Sequence, residues 1–230
     1  MVRTQRVDLG RRADALLDAA AELLVAGRST RIRVEDVAAR AGVGKGTVYL
    51  HWPSREQLLV AVGAREAAAM LGVVVGAVEA DPAEAALHRY LRRHFLEAVR
   101  RPVLAVLFGA AAPELDAFAR ERARSGQGTA AHAYLDVLAE HRLLRSGIEP
   151  ADVDYGVQAV AYGFFRVEPL QAVDPERTSE YRAERLSEVV RRAYEPLQEP
   201  SMEHYRAAAP QVIEVFTRSA DEFRRIAYGN

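Results

Sequence analysis

Residues 37–59 read Val-Ala-Ala-Arg-Ala-Gly-Val-Gly-Lys-Gly-Thr-Val-Tyr-Leu-His-Trp-Pro-Ser-Arg-Glu-Gln-Leu-Leu, and they constrain the fold more tightly than any other stretch. Gly42 closes a helical pattern and can take the left-handed backbone that a sharp turn needs. Pro53 disfavours helical angles at Trp52, so a short helix over about Lys45 to His51 must stop there. Ser54 then opens a further helix, with Gln57 three residues on completing a capping box.

The same 3.6-residue periodicity runs through the rest of the chain, and no stretch alternates as a strand would. Leu9, Ala13, Leu16, Leu17, Ala20 and Leu24 form the apolar side of a first helix that Gly27 caps. Val34, Val37, Ala38 and Ala41 form that of a second. Later helix starts are marked by Asp81-Pro82, Pro102, Pro113, Thr129 and Pro150. Two late helices near 176–195 and 206–227 flank the Pro196–Pro200 linker, for nine or ten helices in all. The segment 124–129, rich in glycine and small polar residues, reads as a mobile loop.

Half of the 230 residues are hydrophobic and 27% are charged, the make-up of a soluble globular protein. The chain has no cysteine, which removes disulfides and thiolate catalysis and fits a reducing compartment. No signal-peptide pattern opens the sequence, and the longest apolar run, Ala67 to Val78, is too short to cross a bilayer. The expectation is a cytoplasmic protein with no membrane partner. The net charge of -1 conceals an asymmetry: residues 1–65 carry 11 basic against 7 acidic residues, and residues 66–230 carry 20 against 25. A basic head on an acidic body suits phosphate attraction.

The short helix carries the chemistry. Val43, Val48 and Trp52 are placed inward as anchors, leaving Lys45, Thr47, Tyr49 and His51 partly outward. Lys45 is the sole lysine among 31 basic residues and sits at a helix N-terminus, where backbone N–H groups favour anions. Gly46 permits close approach of a phosphate. Thr47, Tyr49 and His51 can meet phosphates or base edges, and Thr47 or Tyr49 can touch a thymine methyl. Arg55 is placed to clamp flanking backbone, and Arg3, Arg6, Arg11 and Arg12 form a basic N-terminal arm.

Val34-Glu-Asp-Val-Ala-Ala-Arg-Ala-Gly-Val-Gly-Lys-Gly-Thr-Val-Tyr-Leu-His-Trp-Pro-Ser-Arg-Glu-Gln-Leu resembles the signature of the TetR (tetracycline-repressor-like) family of bacterial transcription regulators, over about residues 9–62. The resemblance implies an all-α homodimer: a helix-turn-helix head (residues 1–53) and a larger ligand-binding and dimerisation domain (54–230). It also implies a palindromic double-stranded DNA operator and a small-molecule effector that relieves repression. Lys45, Gly46, Tyr49 and His51 match the family's DNA-contacting places, with Thr47 and Arg55 beside them. Two positions depart from the pattern. Gly44 replaces a hydroxyl residue, and Arg33 replaces a threonine before the second helix, weakening a cap and offering a phosphate contact.

Beyond residue 65 the resemblance is architectural. His88, His94, Phe95, Tyr134, Tyr162 and Phe165 are the candidate lining of an effector pocket, being aromatic and imidazole groups among aliphatic ones. His88, His94, His132 and His141 lack ligand spacing apart from the commonplace His132 and Asp136, so neither metal nor cofactor is expected. Gly156 and Gly163, seven apart, suit a four-helix interface between subunits or close packing within one. No nucleophile–base pair or phosphate loop is present, which argues against an enzyme. An activator, a ligand-independent regulator, or a helical carrier that has lost DNA binding are the alternatives to a ligand-released repressor.

Overall fold

The computed structural model describes residues 2–109, 129–166 and 177–228. The start expected at Pro113 and nearly all of the 124–129 loop lie outside them. Among the described residues every regular element is helical. In chain order these are α1 (Val2–Gly27), α2 (Val34–Arg40), α3 (Lys45–His51), α4 (Arg55–Ala80), a 3-10 turn (Pro82–Ala85), α5 (Leu87–Arg100), α6 (Pro102–Gly109), α7 (Thr129–Glu140), α8 (Pro150–Arg166), α9 (Ser179–Tyr194) and α10 (Met202–Tyr228).

Helix ends follow local chemistry. Gly42, at φ +68, ends α2: its N–H donates to Ala39 O and that of Val43 donates to Ala38 O, both orphan carbonyls. Trp52 is extended (φ -132, ψ 110) ahead of Pro53, and the Gln57 N–H donates to Ser54 Oγ at 3.2 Å. Asp81 accepts from Ala83 N, and Thr178 from Tyr181 N, capping their helices in the same way. The end of α1 differs from expectation. Gly27 is its last residue, and the left-handed position falls on Arg28 at φ 45. Arg142 (φ 56) closes α7 likewise. In both, the geometry of the terminal hydrogen bonds imposes a conformation that a side chain resists.

The chain divides into two compact units, and α4 and α10 contribute to both. The first comprises residues 1–68, 101–120 and 221–230, so it extends past the expected boundary at residue 53 and takes in the C-terminus. Its core is the apolar side read from the sequence: Ala13, Leu16, Leu17, Ala20 and Leu24 of α1, Val37 and Ala38 of α2, and Val48 of α3 are buried. Leu58, Leu59 and Val62 of α4 are buried as well. A Cβ at Gly63 would stand 3.1 Å from Leu107, so glycine there fits the close passage of α4 and α6. The end of α10 completes this unit. Ala227 is fully buried, and its carbonyl accepts a hydrogen bond from Trp52 Nε1 at 3.1 Å. The Tyr228 hydroxyl donates to Asp14 Oδ1 at 2.7 Å. The last helix, whose role the sequence left open, thus ends as a strut of the N-terminal unit.

The second unit comprises residues 69–100 and 121–220. Leu91, Phe95, Leu96 and Ala98 of α5 and Ala183, Leu186, Ser187 and Val190 of α9 are buried where these helices pair. Arg92–Glu184 (2.5 Å) and Arg100–Glu180 (3.0 Å) bridge the same pair. On α8, Gly156 and Gly163 have different surroundings. A Cβ on Gly156 would fall 1.9 Å from the Tyr194 hydroxyl, whereas one on Gly163 meets nothing within 4 Å. Gly156 therefore serves packing within the chain.

By length and composition alone α4 is long and apolar enough to cross a membrane, although its uninterrupted apolar run is shorter. Half of the apolar window is buried inside the protein, as in the core helix of a globular chain.

The Arg28 conformation yields a test. Arg28→Gly removes the left-handed penalty without touching a core contact. It should stabilise the protein by about 1 kcal/mol and raise the thermal midpoint by about 2–4 °C. An unchanged or lowered midpoint would show that Arg28 makes a compensating contact.

Candidate nucleic-acid interface

α3 is held from behind and open in front. Val48 is 1% exposed and Trp52, just past the helix, is 3% exposed. One hundred degrees per residue then puts Gly46 and Leu50 opposite Val48, with Lys45 and Tyr49 along one side of them. The structure agrees, with all four exposed. Thr47 and His51 are half-buried on one flank rather than on the outward strip. His51 lies 5.3 Å, ring to ring, from Trp52. Burial pulls its pKa below the usual histidine value, with help from the nearby charge of Arg12. Of the four residues expected partly outward, Lys45 and Tyr49 thus form one flank and Thr47 and His51 the other, with Gly46 and Leu50 between them.

The glycines leave the approach clear. Gly44 caps α3 with extended backbone and no side-chain bond, as its lack of a hydroxyl requires, and its carbonyl receives the Thr47 N–H at 2.9 Å. A Cβ at Gly44 or Gly46 would meet nothing within 4 Å. These positions are open to whatever comes to the head.

Four cations of the head, Arg33, Arg40, Lys45 and Arg55, are each paired with a carboxylate. Lys45 Nζ hydrogen-bonds to Glu35 Oε1 on α2 and sits 5.6 Å from the centre of the Tyr49 ring. That hydrogen bond raises the Lys45 pKa and lowers that of Glu35. Arg33 is bound to Asp36 through Nε at 3.0 Å and Nη2 at 3.3 Å, which raises its pKa; it makes no cap bond to α2. Arg40 meets Glu22 at 2.6 Å. Arg55 is partly buried, donates to Thr30 O at 2.8 Å and lies 3.3 Å from Glu56. Its place is in the joint between α1 and α4, fixing the loop before α2. The basic residues Arg3 and Arg6 fall in α1 itself, so the expected arm is helical.

In the second unit, the candidate pocket residues fall into separate groups. His88 is committed to Glu195: its backbone N–H and its Nδ1 each lie 2.7 Å from one carboxylate oxygen, so Glu195 caps the start of α5. Tyr134 is buried, donates to Ala85 O at 2.9 Å, and packs with Tyr90 and Phe216 at ring separations of 4.9–5.1 Å. His94 joins this cluster, with Nδ1 3.4 Å from the Tyr90 hydroxyl. Burial lowers the His94 pKa to about 4, so the ring is neutral near pH 7, and pushes the Tyr90 pKa up to about 12. Phe95 packs on Phe165 at 4.9 Å, with the Arg182 guanidinium 5.2 Å from the Phe95 ring centre. Tyr162 lies on α8 and is 63% exposed. His132 lies 3.7 Å from Asp154, and no metal-ligating group forms among the described residues. Sequence reasoning missed Tyr90, Phe216 and Glu195. The four-residue step from Tyr90 to His94 was the available signal.

A short helix anchored from behind, presented across a glycine turn and open along its outer strip, defines a helix-turn-helix protein. Residues 16–62 match the model of the bacterial regulatory proteins, tetR family. Over these residues the chain is similar to the N-terminal domain of the TetR family. No curated protein matches the sequence.

Solved structures share the fold over most of the chain. One is a TetR-family transcription regulator from Shewanella sp. PV-4, with 18% identity and a TM-score of 0.59 over 80% of this chain and 98% of that one. NalD, the secondary repressor of the MexAB-OprM multidrug efflux pump in Pseudomonas aeruginosa, has 20% identity and a TM-score of 0.57 over 83% and 100%. SmeT, the repressor of the Stenotrophomonas maltophilia pump SmeDEF, has 18% identity and a TM-score of 0.58 over 82% and 96%. At these identities the likeness is one of architecture.

The Lys45–Glu35 pair has a measurable consequence. A lysine that leaves a carboxylate to reach phosphate strands that carboxylate, so less net charge is neutralised on binding. Glu35→Gln should tighten non-specific DNA binding about three- to tenfold at low salt and steepen the salt dependence by up to about one unit, and Lys45→Ala should flatten it by a similar amount. Equal slopes in all three proteins would remove Lys45 from phosphate contact.

Proposed function

We propose that the protein is a soluble, cytoplasmic, homodimeric repressor that binds a palindromic operator and is released from it by a small molecule. The observation that carries the reading is the outward strip of α3, held by Val48 and Trp52 and cleared by Gly44 and Gly46. A rigid, protruding helix with an N-terminal cation is what the major groove admits. Within the interface, Lys45 and Gly46 take phosphate, Tyr49 reaches base edges or backbone, and Thr47 and His51 contribute from the flank. Arg33 reaches phosphate by leaving Asp36, and Arg55 orders the loop that aims α2.

Dimerisation is assigned to α8 and α9. Tyr155 (80% exposed), Tyr162 and the open Gly163 on α8, together with Tyr181 and Val189 on α9, leave large apolar side chains in water. Paired with a second copy, these helices would form a four-helix interface, and Tyr162 belongs there rather than in an effector pocket. The effector site is assigned to the cluster of Tyr90, His94, Tyr134 and Phe216, with Phe95 and Phe165 adjoining. The ligand would be an apolar molecule with a group that hydrogen-bonds neutral imidazole or phenol. Its entrance requires the Tyr90–Phe216 stack to part, so the ligand favours a second state by its differential affinity. The solved relatives that repress efflux pumps support this reading over an activator.

Selection of bound duplexes from a random library near physiological salt tests the proposal. An inverted repeat should emerge, its half-sites about 34–36 Å apart or a multiple of that. A single asymmetric site would exclude the dimeric mode, and no enrichment from folded protein would leave a carrier role in its place.

A further inference from the structure

We propose that Leu50 reads a thymine methyl group in the major groove and thereby fixes one base pair in each half-site; this rests on the head being a DNA-binding module. Leu50 is 85% exposed, far more than Tyr49 at 41% on the same helix. It lies one turn beyond Gly46, at the i,i+4 spacing that stacks two residues on one strip, and opposite the buried Val48. The middle of the outward strip is therefore a glycine followed by a leucine, with Lys45 and Tyr49 on one flank and half-buried Thr47 and His51 on the other.

So exposed a leucine adds almost nothing to the core, and its place on the outward strip of α3, opposite Val48, sets it apart from other exposed leucines such as Leu197. Its value lies in what it meets when the head is covered. Hydrogen-bond donors and acceptors dominate base edges in the major groove, and covering them with a leucine strands them without partners. The thymine C5-methyl is the apolar exception in that groove, and the minor groove offers no counterpart. The empty space at Gly46 lets the helix approach closely enough for a side chain one turn on to reach it. The surrounding charge selects the same partner: the head carries an excess of basic residues, and Lys45 borders the strip. Leu50 thus supplies the methyl contact that residue type alone would assign to Thr47 or Tyr49.

The test uses the full-length chain and the selected operator, with each dT replaced singly by dU, which deletes only the methyl group. Affinity is read by fluorescence anisotropy. At one dT per half-site the replacement should weaken wild-type binding about three- to fivefold, the value of one buried methyl. Leu50→Ala should bind the dT and dU duplexes equally, as weakly as wild type binds dU. Its thermal unfolding should match wild type, because Leu50 is exposed. The proposal is overturned if every dU duplex binds wild type like the parent, or if Leu50→Ala retains the loss on methyl removal. Failure to select any duplex would instead overturn DNA recognition by the head, and the role of Leu50 with it.

Discussion

The N-terminal unit depends on the burial of Trp52. Pro53 forces this residue out of the helix, and the indole then turns into the core, where an unpaired N–H would cost about 1–3 kcal/mol. The Ala227 carbonyl removes that cost with a 3.1 Å hydrogen bond. With Pro53 ending α3, this one interaction fixes the helix's rotation about its own axis and recruits the C-terminal turn of α10 into a unit that the sequence places at the opposite end of the chain. The Tyr228–Asp14 bond reinforces the attachment to α1. Everything the head presents to its surroundings follows from that fixed rotation.

What it presents is less overtly cationic than its composition suggests. Lys45, Arg33 and Arg40 are each engaged by a carboxylate of the same unit. These pairs are exposed and contribute little to stability. Their consequence lies in binding: a cation already compensated delivers less net attraction to phosphate, so a larger share of affinity must come from groups that recognise bases. The strip of Lys45, Gly46, Tyr49 and Leu50 is suited to that division of labour.

Much of this fold was legible from local rules. Gly42, Pro53, Ser54 and Asp81 act on their immediate neighbours, and each marks a boundary where the chain turns or a helix begins. The apolar side of α1, from Ala13 to Leu24, is buried as its spacing requires. The site was legible in its location but not in its orientation. Lys45, Thr47, Tyr49 and His51 were read as partly outward and Gly46 as the open approach, whereas 3.6-residue geometry also brings forward Leu50, whose type carries no polar chemistry to draw attention. The end of α1 was misplaced by one residue because the left-handed position was sought at glycine, and the structure puts it on Arg28. Partners distant in sequence stayed hidden. Nothing in the pattern around His88 announces Glu195, more than a hundred residues away, nor does Trp52 announce Ala227.

Dimethyl sulfate footprinting of the protein on its selected duplex tests the central claim most directly, because the reagent methylates guanine N7 in the major groove and adenine N3 in the minor groove. Insertion of α3 predicts protected guanine N7 atoms in two patches on one face of the duplex, about 34–36 Å apart or a multiple of that, with adenine N3 between them still reactive. Protection confined to adenine N3, or no protected guanine beneath a bound protein, would contradict the assignment of α3 as the helix that reads DNA.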